Sequence, residues 1–500
     1  MSVGALTVDP EAVGLVPEGL VRRYRAVPVG IEDGELVLAT TGPLDLAVLD
    51  QIELVSGRRV RTVEAPELAI RKAIERFFTV DQSFRDGLSE ADSESGEGGS
   101  DRVISLNERL GADRNAPAVR LVDTIVRGAA RQGASYIHIE PINGDTVVRC
   151  RIDGVLHDVM RVSRGLQEEV VSRIKLMAGL DITEHRVPQD GRIGVRIEGY
   201  DFDLRVSTLL TVRGEKVAIR LLNKSGGSIS LGQLGMTEAQ QGQFAELIAR
   251  PYGMIVLSGP TGSGKTTTLY TALQEVDRER LNVTTIEDPV EYWLERVNQI
   301  QVNPQAGLTF ASALRTVLRQ DPDIIMVGEM RDTETARLAV QAAMTGHLVF
   351  STLHANTAAG TLSRLKDLGV PAFLIASTLA ASISQRLVRR VCADCRRPYE
   401  PSASEVAGTP LEGRELTRGA GCDLCMDTGY RGRVGLYEIL PITEPIREAF
   451  VQGGTDDVLR GLSREGGGLS MRDAAFEAVA GGETTMEEIR RVVPAEELRA

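Results

Sequence analysis

Residues 254–274 read MIVLSGPTGSGKTTTLYTALQ, and this stretch indicates the fold class of the largest part of the chain. Its middle fits the pattern G-x-x-x-x-G-K-[ST] at every fixed position, from Gly259 to Thr266. An apolar run precedes the pattern and a helical pattern follows it, which is the context that a phosphate-binding P-loop requires. Glycines let backbone N–H groups turn toward phosphate, and the N-terminus of the helix adds a favourable dipole. The stretch therefore predicts a nucleotide site.

The P-loop positions predict separate roles. Lys265 is expected to reach the β- and γ-phosphates of ATP, and the Thr266 hydroxyl is expected to bind Mg²⁺. The predicted nucleotide-binding residues are consecutive in the loop and the first helical turn: Gly259, Pro260, Thr261, Gly262, Ser263, Gly264, Lys265, Thr266 and Thr267.

Two acidic segments follow apolar runs downstream of the P-loop. DPDIIMVGEMRD carries Glu329, and TIEDPVEY carries Glu287, Asp288 and Glu291. Ligands of a doubly wound sheet bind at the carboxyl ends of its strands, where a carboxylate can hold Mg²⁺ or orient the attacking water. Glu329 and Glu287 are therefore predicted as catalytic residues, and which of the two positions the water stays open.

Two histidines bracket a further apolar run, HLVFSTL. His347 begins this run and His354 follows it. Both are expected beside the same edge of the sheet, and His347 is predicted to contact the γ-phosphate.

The sequence pattern divides the chain into four segments. Residues 1–80 combine short alternating strands with a helical pattern over 66–78, as in a small α+β domain. Residues 81–102 hold seven acidic and two basic residues with few apolar ones, which predicts a flexible linker. Residues 103–232 indicate an α+β domain on an antiparallel sheet. In residues 233–500, short apolar runs alternate with helical segments, so a mainly parallel sheet is expected, followed by a cysteine-bearing insert and short helices.

Four of the five cysteines form two CxxC pairs, Cys392–Cys395 and Cys422–Cys425. Two such pairs supply the four thiolates of a closed tetrahedral Zn²⁺ site, which would be structural because it leaves no open coordination position. The insert at about 390–430 is therefore predicted to bind zinc. The fifth, Cys150, stands alone in an apolar strand and is interpreted as a small buried hydrophobe.

Composition narrows the functional classes. A hydrophobic fraction of 42% and a charged fraction of 25% are those of an ordinary globular protein, and no apolar run reaches the length of a membrane span. The N-terminus has neither the basic nor the apolar region of a secretory signal. A net charge of −13 argues against a nucleic-acid substrate.

Taken together, these motifs resemble the ATPases that drive type II secretion and type IV pilus assembly. The likeness runs from about residue 115 to 430 and includes GPTGSGKTTTLY, TIEDPVEY, GEMRD, GHLVFSTLHANTA, RVPQDGRI and RVSTLLTVRGEKVAIRLL. It implies a RecA-like motor, a preceding PAS-like domain and a hexameric ring. Tyr136 and Leu210 replace the usual Asp and Pro of the family pattern, and neither belongs to the motifs that bind phosphate.

The resemblance also gives two arginines a role. Arg205 in RVST and Arg220 in AIRLL would otherwise be strand surface charges. In such proteins they are expected to face nucleotide, from their own or a neighbouring subunit, and to neutralise the charge of phosphoryl transfer.

Within the family, the sequences IEDPVEY, NQIQVN and GLTFASALRTVLRQDPD are most similar to the type II secretion ATPases. The pilus-assembly ATPases are the next most similar branch. The likeness to the type II branch implies a cytoplasmic ATPase, peripheral to the inner membrane, whose partners are the inner-membrane platform and cytoplasmic-domain proteins of the secretion machine. Residues 1–80 are expected to be the domain that docks onto the partners. Residues 1–80 lack the long leucine-rich motif with which some relatives bind cyclic di-GMP, so no such ligand is expected. A DNA-translocating ring and a scaffold with little turnover are the remaining alternatives.

Overall fold

The structure is a computed structural model that describes residues 12–70 with short gaps, 117–142, 145–224 and 229–499. It divides into two compact units, residues 1–222 and 223–500. The predicted linker 81–102 and most of the predicted helix 66–78 lie outside the described residues.

The N-terminal part of the first unit is a three-stranded sheet with one described helix. Strand β2 lies between an antiparallel β1 and a parallel β3. Leu36, Leu38 and Ile52 form part of the buried core between sheet and helix. The elements are β1 (Val27–Glu32), β2 (Glu35–Thr40), α1 (Leu46–Ser56) and β3 (Val60–Glu64).

The rest of the first unit is a six-stranded sheet covered by two helices. The strand order is β6-β5-β4-β9-β8-β7, and the pairs β5·β6, β4·β5, β4·β9 and β7·β8 are antiparallel, as the pattern predicts. Cys150 is buried in this sheet, as expected, and burial raises its pKa to about 12. The elements are α2 (Pro117–Arg131), β4 (Tyr136–Ile142), β5 (Asp145–Ile152), β6 (Val155–Val162), α3 (Arg164–Met177), β7 (Gln189–Ile197), β8 (Tyr200–Thr211) and β9 (Gly214–Asn223).

The second unit is built on a seven-stranded sheet of order β12-β11-β13-β14-β10-β15-β18. All pairs are parallel except β15·β18, so the predicted crossover architecture is present from β10 to β14. Helices cover both faces and bury two apolar clusters. The elements that form this core are α4 (Glu238–Ile248), β10 (Gly253–Ser258), α5 (Lys265–Glu275), β11 (Val283–Glu287), β12 (Asn298–Gln301), α6 (Phe310–Val317), β13 (Ile324–Val327), α7 (Thr333–Met344), β14 (Leu348–Leu353), α8 (Ala358–Asp367) and α9 (Ala372–Thr378).

A long antiparallel hairpin, which the sequence pattern does not predict, follows this core. One strand pairs with β10, and the cysteine-bearing insert lies between the two strands of the hairpin. The elements are β15 (Leu379–Val391), β16 (Arg396–Tyr399), α10 (Ala403–Val406), β17 (Leu416–Gly419), β18 (Tyr430–Pro441), α11 (Glu444–Val451), α12 (Asp456–Glu465), α13 (Met471–Ala480), α14 (Met486–Val492) and α15 (Ala495–Arg499). None of the described helices combines the length and apolar character that crossing a bilayer requires.

Candidate functional site

The P-loop connects the carboxyl end of β10 to the first residue of α5. Gly259, Gly262 and Gly264 have φ angles of 144°, 78° and 86°, which L side chains rarely adopt. A Cβ atom at Gly259 would lie 2.4 Å from the backbone oxygen of Gln385, and one at Gly264 would lie 2.9 Å from the Nε2 atom of Gln385. Strand β15 thus forms the floor of the loop. Glycine is required at Gly259 because the two backbones approach closely there, and at Gly262 and Gly264 because of their positive φ angles.

Lys265 lies at the mouth of the loop. Its Nζ atom donates hydrogen bonds to the backbone oxygens of Gly259 at 2.9 Å and Pro260 at 3.0 Å. Burial lowers the pKa of Lys265, the Glu329 carboxylate opposes that shift, and Arg386 adds to it. Glu329 is therefore near enough to act electrostatically on the P-loop lysine.

Glu329 follows β13 at the same edge of the sheet. Its side chain is 16% exposed and pairs with Arg331. The Nε2 atom of His354, which follows β14, lies 3.9 Å from a carboxylate oxygen of Glu329. Lys265, Glu329 and His354 thus meet at the carboxyl ends of β10, β13 and β14.

His347 lies at the opposite end of β14, which corrects the expectation that it contacts the γ-phosphate. In the parallel register Leu348 pairs with Gly253 and Leu353 pairs with Ser258, so the P-loop begins beside Leu353. A six-residue strand spans about 20 Å. The Nδ1 atom of His347 contacts the backbone oxygen of Ala342 at 2.9 Å, which gives this histidine a structural role.

Glu287 is the last residue of β11 and is 3% exposed. Its carboxylate accepts hydrogen bonds from Tyr270, from Thr285 at 2.6 Å and from Gln299 at 3.2 Å. A carboxylate so enclosed is not placed to contact the attacking water, so the expectation of a direct catalytic role for Glu287 is revised.

In the same acidic loop, Asp288 is exposed and Glu291 is half-buried. Both residues follow β11. The hydrogen bond to Glu329 raises the pKa of Arg331, and the negative charge of Asp288 raises it further. The loop therefore brings Asp288 to the surroundings of Glu329.

Arg205 and Arg220 lie in the first unit, on β8 and β9. Both line a cavity of about 350 Å³ with Tyr136 and Arg192. Arg192 is the direct cross-strand partner of Arg205, and the Nε atom of Arg205 is buried without a hydrogen-bond partner among the described residues. Like charges placed directly opposite each other disfavour the sheet. The arrangement is suited to an anion.

The four paired cysteines come together as the spacing predicts. Their Sγ atoms all lie within 4.8 Å of one another. Three Sγ–Sγ distances are 3.8 Å (Cys392–Cys422), 3.8 Å (Cys395–Cys425) and 3.6 Å (Cys422–Cys425). Four thiolates about 2.3 Å from one tetrahedral Zn²⁺ would be about 3.8 Å apart. The geometry and the donor set both fit a structural zinc ion.

Comparison with known proteins gives likenesses along most of the chain. A family model described as Type II/IV secretion system protein matches residues 111–491, and one described as MshEN domain matches residues 1–83. Type IV pilus assembly ATPase PilB of Myxococcus xanthus is 40% identical over 489 residues, or 96% of this chain and 86% of the relative. Type II secretion system ATPase E of Vibrio cholerae is 39% identical over 491 residues, or 97% of each chain. The crystal structure of the pilus retraction motor PilT with bound ADP is 28% identical, with a TM-score of 0.51 over 73% of this chain and 95% of that one.

Proposed function

We propose that this chain, which belongs to the type II/IV secretion system protein family, hydrolyses ATP to drive pseudopilus assembly and protein export by a type II secretion system. The chain is an ATP hydrolase of this family, and its second unit has the RecA-like secretion ATPase fold. The observation that carries the proposal is the meeting of Lys265, Glu329 and His354 beside the P-loop. The likeness to the Vibrio cholerae ATPase, which extends over almost all of both chains, supports the type II branch.

The proposed site divides the work of phosphoryl transfer among a few groups. Backbone N–H groups of the P-loop and Lys265 bind the β- and γ-phosphates, and the Thr266 hydroxyl with Glu329 would hold the Mg²⁺ that neutralises their charge. Glu329 and, in the acidic loop beside it, Asp288 are the acidic groups that can orient the water, which attacks the γ-phosphorus as the bond to ADP breaks. His354 is placed to contact the γ-phosphate in the role first expected of His347.

The ring is the next part of the proposal. We propose that the active form is a homohexamer in which Arg205 and Arg220 neutralise the transferring phosphate, from their own or a neighbouring subunit. The arginine-lined cavity of the first unit supports this role, because it concentrates positive charge beside a single acidic residue, Asp190.

Membership of the type II secretion branch implies which proteins the ATPase works with. We propose that the ATPase works in the cytoplasm at the inner membrane and acts on a platform protein and a cytoplasmic-domain protein of the secretion machine. Residues 1–80 are proposed to dock onto these partners.

Type IV pilus assembly is the second candidate, because the likeness to the Myxococcus xanthus PilB covers 96% of this chain. Deletion of the gene in its own host distinguishes the two. The type II proposal predicts that extracellular enzymes accumulate inside the cell while surface pili persist; loss of pili with normal export supports pilus assembly instead. A DNA-translocating ring, the remote alternative, would reveal itself by hydrolysis that duplex DNA stimulates several-fold.

We propose that the tetracysteine cluster holds one zinc ion per chain. Zinc there would supply a crosslink between the two CxxC pairs. The backbone N–H groups of Cys422 and Gly429 donate to the Sγ atom of Cys425 at 3.2 and 3.3 Å and would stabilise its thiolate.

Elemental analysis of protein purified without chelator should find about one zinc per chain, and Cys392→Ser should lower this below one half. Zinc content unchanged by Cys392→Ser, or a purified chain with almost none, contradicts the assignment; Cys150→Ser is the matched control, because Cys150 lies in the other unit.

A further inference from the structure

A buried hydroxyl joins the P-loop helix to the acidic loop that follows β11. Tyr270 lies in α5, one and a half turns after Lys265, and is fully buried. Its hydroxyl donates to the Oε2 atom of Glu287 and accepts from the backbone N–H of Glu291 at 3.3 Å. The hydroxyl oxygen of Tyr270 therefore makes hydrogen bonds both to the end of β11 and to the loop that follows it.

Gln299, on the neighbouring strand β12, completes the group. Its Nε2 atom donates to Glu287 at 3.2 Å and to the backbone oxygen of Tyr292 at 3.1 Å, and its Oε1 atom accepts from the backbone N–H of Leu294 at 2.7 Å. The Tyr292 ring packs edge-on against the Tyr270 ring, with centroids 4.5 Å apart. The acidic loop is thus held at several points by side chains that face away from solvent.

The protonation states suit this arrangement. Burial raises the pKa of Tyr270, and the neighbouring Glu287 raises it further, so the phenol keeps its proton and donates. Burial also raises the pKa of Glu287, while hydrogen bonds from Thr285, Tyr270 and Gln299 oppose that shift. Loss of the phenol would leave a buried carboxylate oxygen and a backbone N–H without one of their partners, which is unfavourable.

We propose that Tyr270 is a positioning residue for ATP hydrolysis, fixing Asp288 and Glu291 relative to Lys265 through its hydrogen bonds to the Glu287 carboxylate and the Glu291 backbone. The proposal rests on the hydrolysis site described above. Nucleotide is bound by the P-loop itself, whereas the acidic loop matters when water attacks. Tyr270 should therefore influence turnover much more than nucleotide affinity.

Steady-state kinetics of the full chain with Mg²⁺ and ATP provides the test. Tyr270→Phe keeps the ring and removes the hydroxyl, and kcat should fall about tenfold or more while KM and the affinity for a non-hydrolysable ATP analogue change less than about threefold. Tyr292→Phe is the matched control, because its hydroxyl makes no hydrogen bond within the described part of the chain; its kcat should stay within about twofold. Normal turnover in Tyr270→Phe, or a loss seen only in nucleotide affinity, overturns the proposal.

Two further measurements distinguish a local effect of Tyr270→Phe on the acidic loop from destabilisation of the whole second unit. Amide exchange should speed up in residues 288–294 of Tyr270→Phe and stay unchanged in β13 and β14; faster exchange throughout the unit contradicts a local role. If Tyr270 acts through Glu287, then Glu287→Gln combined with Tyr270→Phe should be little worse than either single variant, and additive losses contradict the coupling. If Lys265→Ala also keeps its activity, the proposed site itself is wrong; if only Tyr270→Phe is normal, only this inference is wrong.

Discussion

Replacing Lys265 with alanine is expected to abolish ATP turnover while leaving the fold intact. In the proposed site the ammonium group contacts the transferring phosphate, and in the structure it donates to two backbone oxygens of the loop. Loss of such a contact removes transition-state stabilisation, and we expect a fall in kcat of about 10³-fold or more. Stability should change by no more than about 1 kcal/mol, since no apolar core group is lost.

The measurement is phosphate release by purified protein, with circular dichroism and thermal unfolding as checks on the fold. Lys366→Ala is a matched control, because Lys366 is an exposed lysine in α8 of the same unit. It should retain activity within about twofold. Normal turnover in a folded Lys265→Ala protein would show that the P-loop is not the hydrolysis site.

Substitution of Arg205 or Arg220 in the first unit is also expected to cause a large loss of ATP turnover. Arg205→Ala and Arg220→Ala should each bind ATP with nearly unchanged affinity but hydrolyse it about 10³-fold more slowly, since an arginine that neutralises phosphoryl transfer acts mainly in the transition state. Turnover per chain of the unmodified protein should also rise with protein concentration, because a complete site would need the chains assembled.

Arg196→Ala is the control for this pair. Arg196 lies in β7 of the same sheet and makes a bidentate surface ion pair with Asp201, at 2.8 and 3.1 Å. Exposed pairs of this kind contribute little to stability, so its loss should alter turnover less than about twofold. Near-normal turnover in Arg205→Ala and Arg220→Ala, with activity independent of concentration down to monomeric solutions, contradicts the ring mechanism.

The strands of the motor could be predicted because each is a short apolar run between helical segments. The apolar runs 254–257, 283–286, 324–327 and 348–351 all lie inside β10, β11, β13 and β14. The P-loop could be predicted as well, because its backbone geometry depends on glycines within eight consecutive residues.

The hairpin of β15 and β18 could not be predicted in this way. The first half of β15, LAASIS, is rich in small residues and does not differ from a helical pattern, and β18 contains two glycines. Their pairing joins Val391 to Tyr430 across the whole insert. Such a long-range pairing leaves no periodic signal in either segment alone.

That His354 and not His347 lies beside the P-loop follows from the direction of the strands, and this direction could have been worked out from the sequence. The P-loop follows its strand, so in a parallel sheet the residue after the neighbouring strand, His354, lies at the edge of the P-loop, and the residue before that strand, His347, lies at the other edge. The burial of Glu287 had no such signal, because it depends on Tyr270 and Gln299 from other elements.

The hairpin of β15 and β18 closes a long loop of the chain. Residues 392–429 form one chain loop whose ends are held together by the Val391–Tyr430 pair. The entropy of closing such a loop grows only with the logarithm of its length, so doubling it costs about 0.6 kcal/mol. A crosslink between the two CxxC pairs would leave residues 396–421 as a second, smaller loop, in which Val406, Leu411 and Leu416 are buried against the C-terminal helices. Insertions at the exposed residues 412–415 should therefore be tolerated by the motor. Insertion or deletion of one residue within β15, in contrast, would shift Gln385 away from the P-loop that it supports.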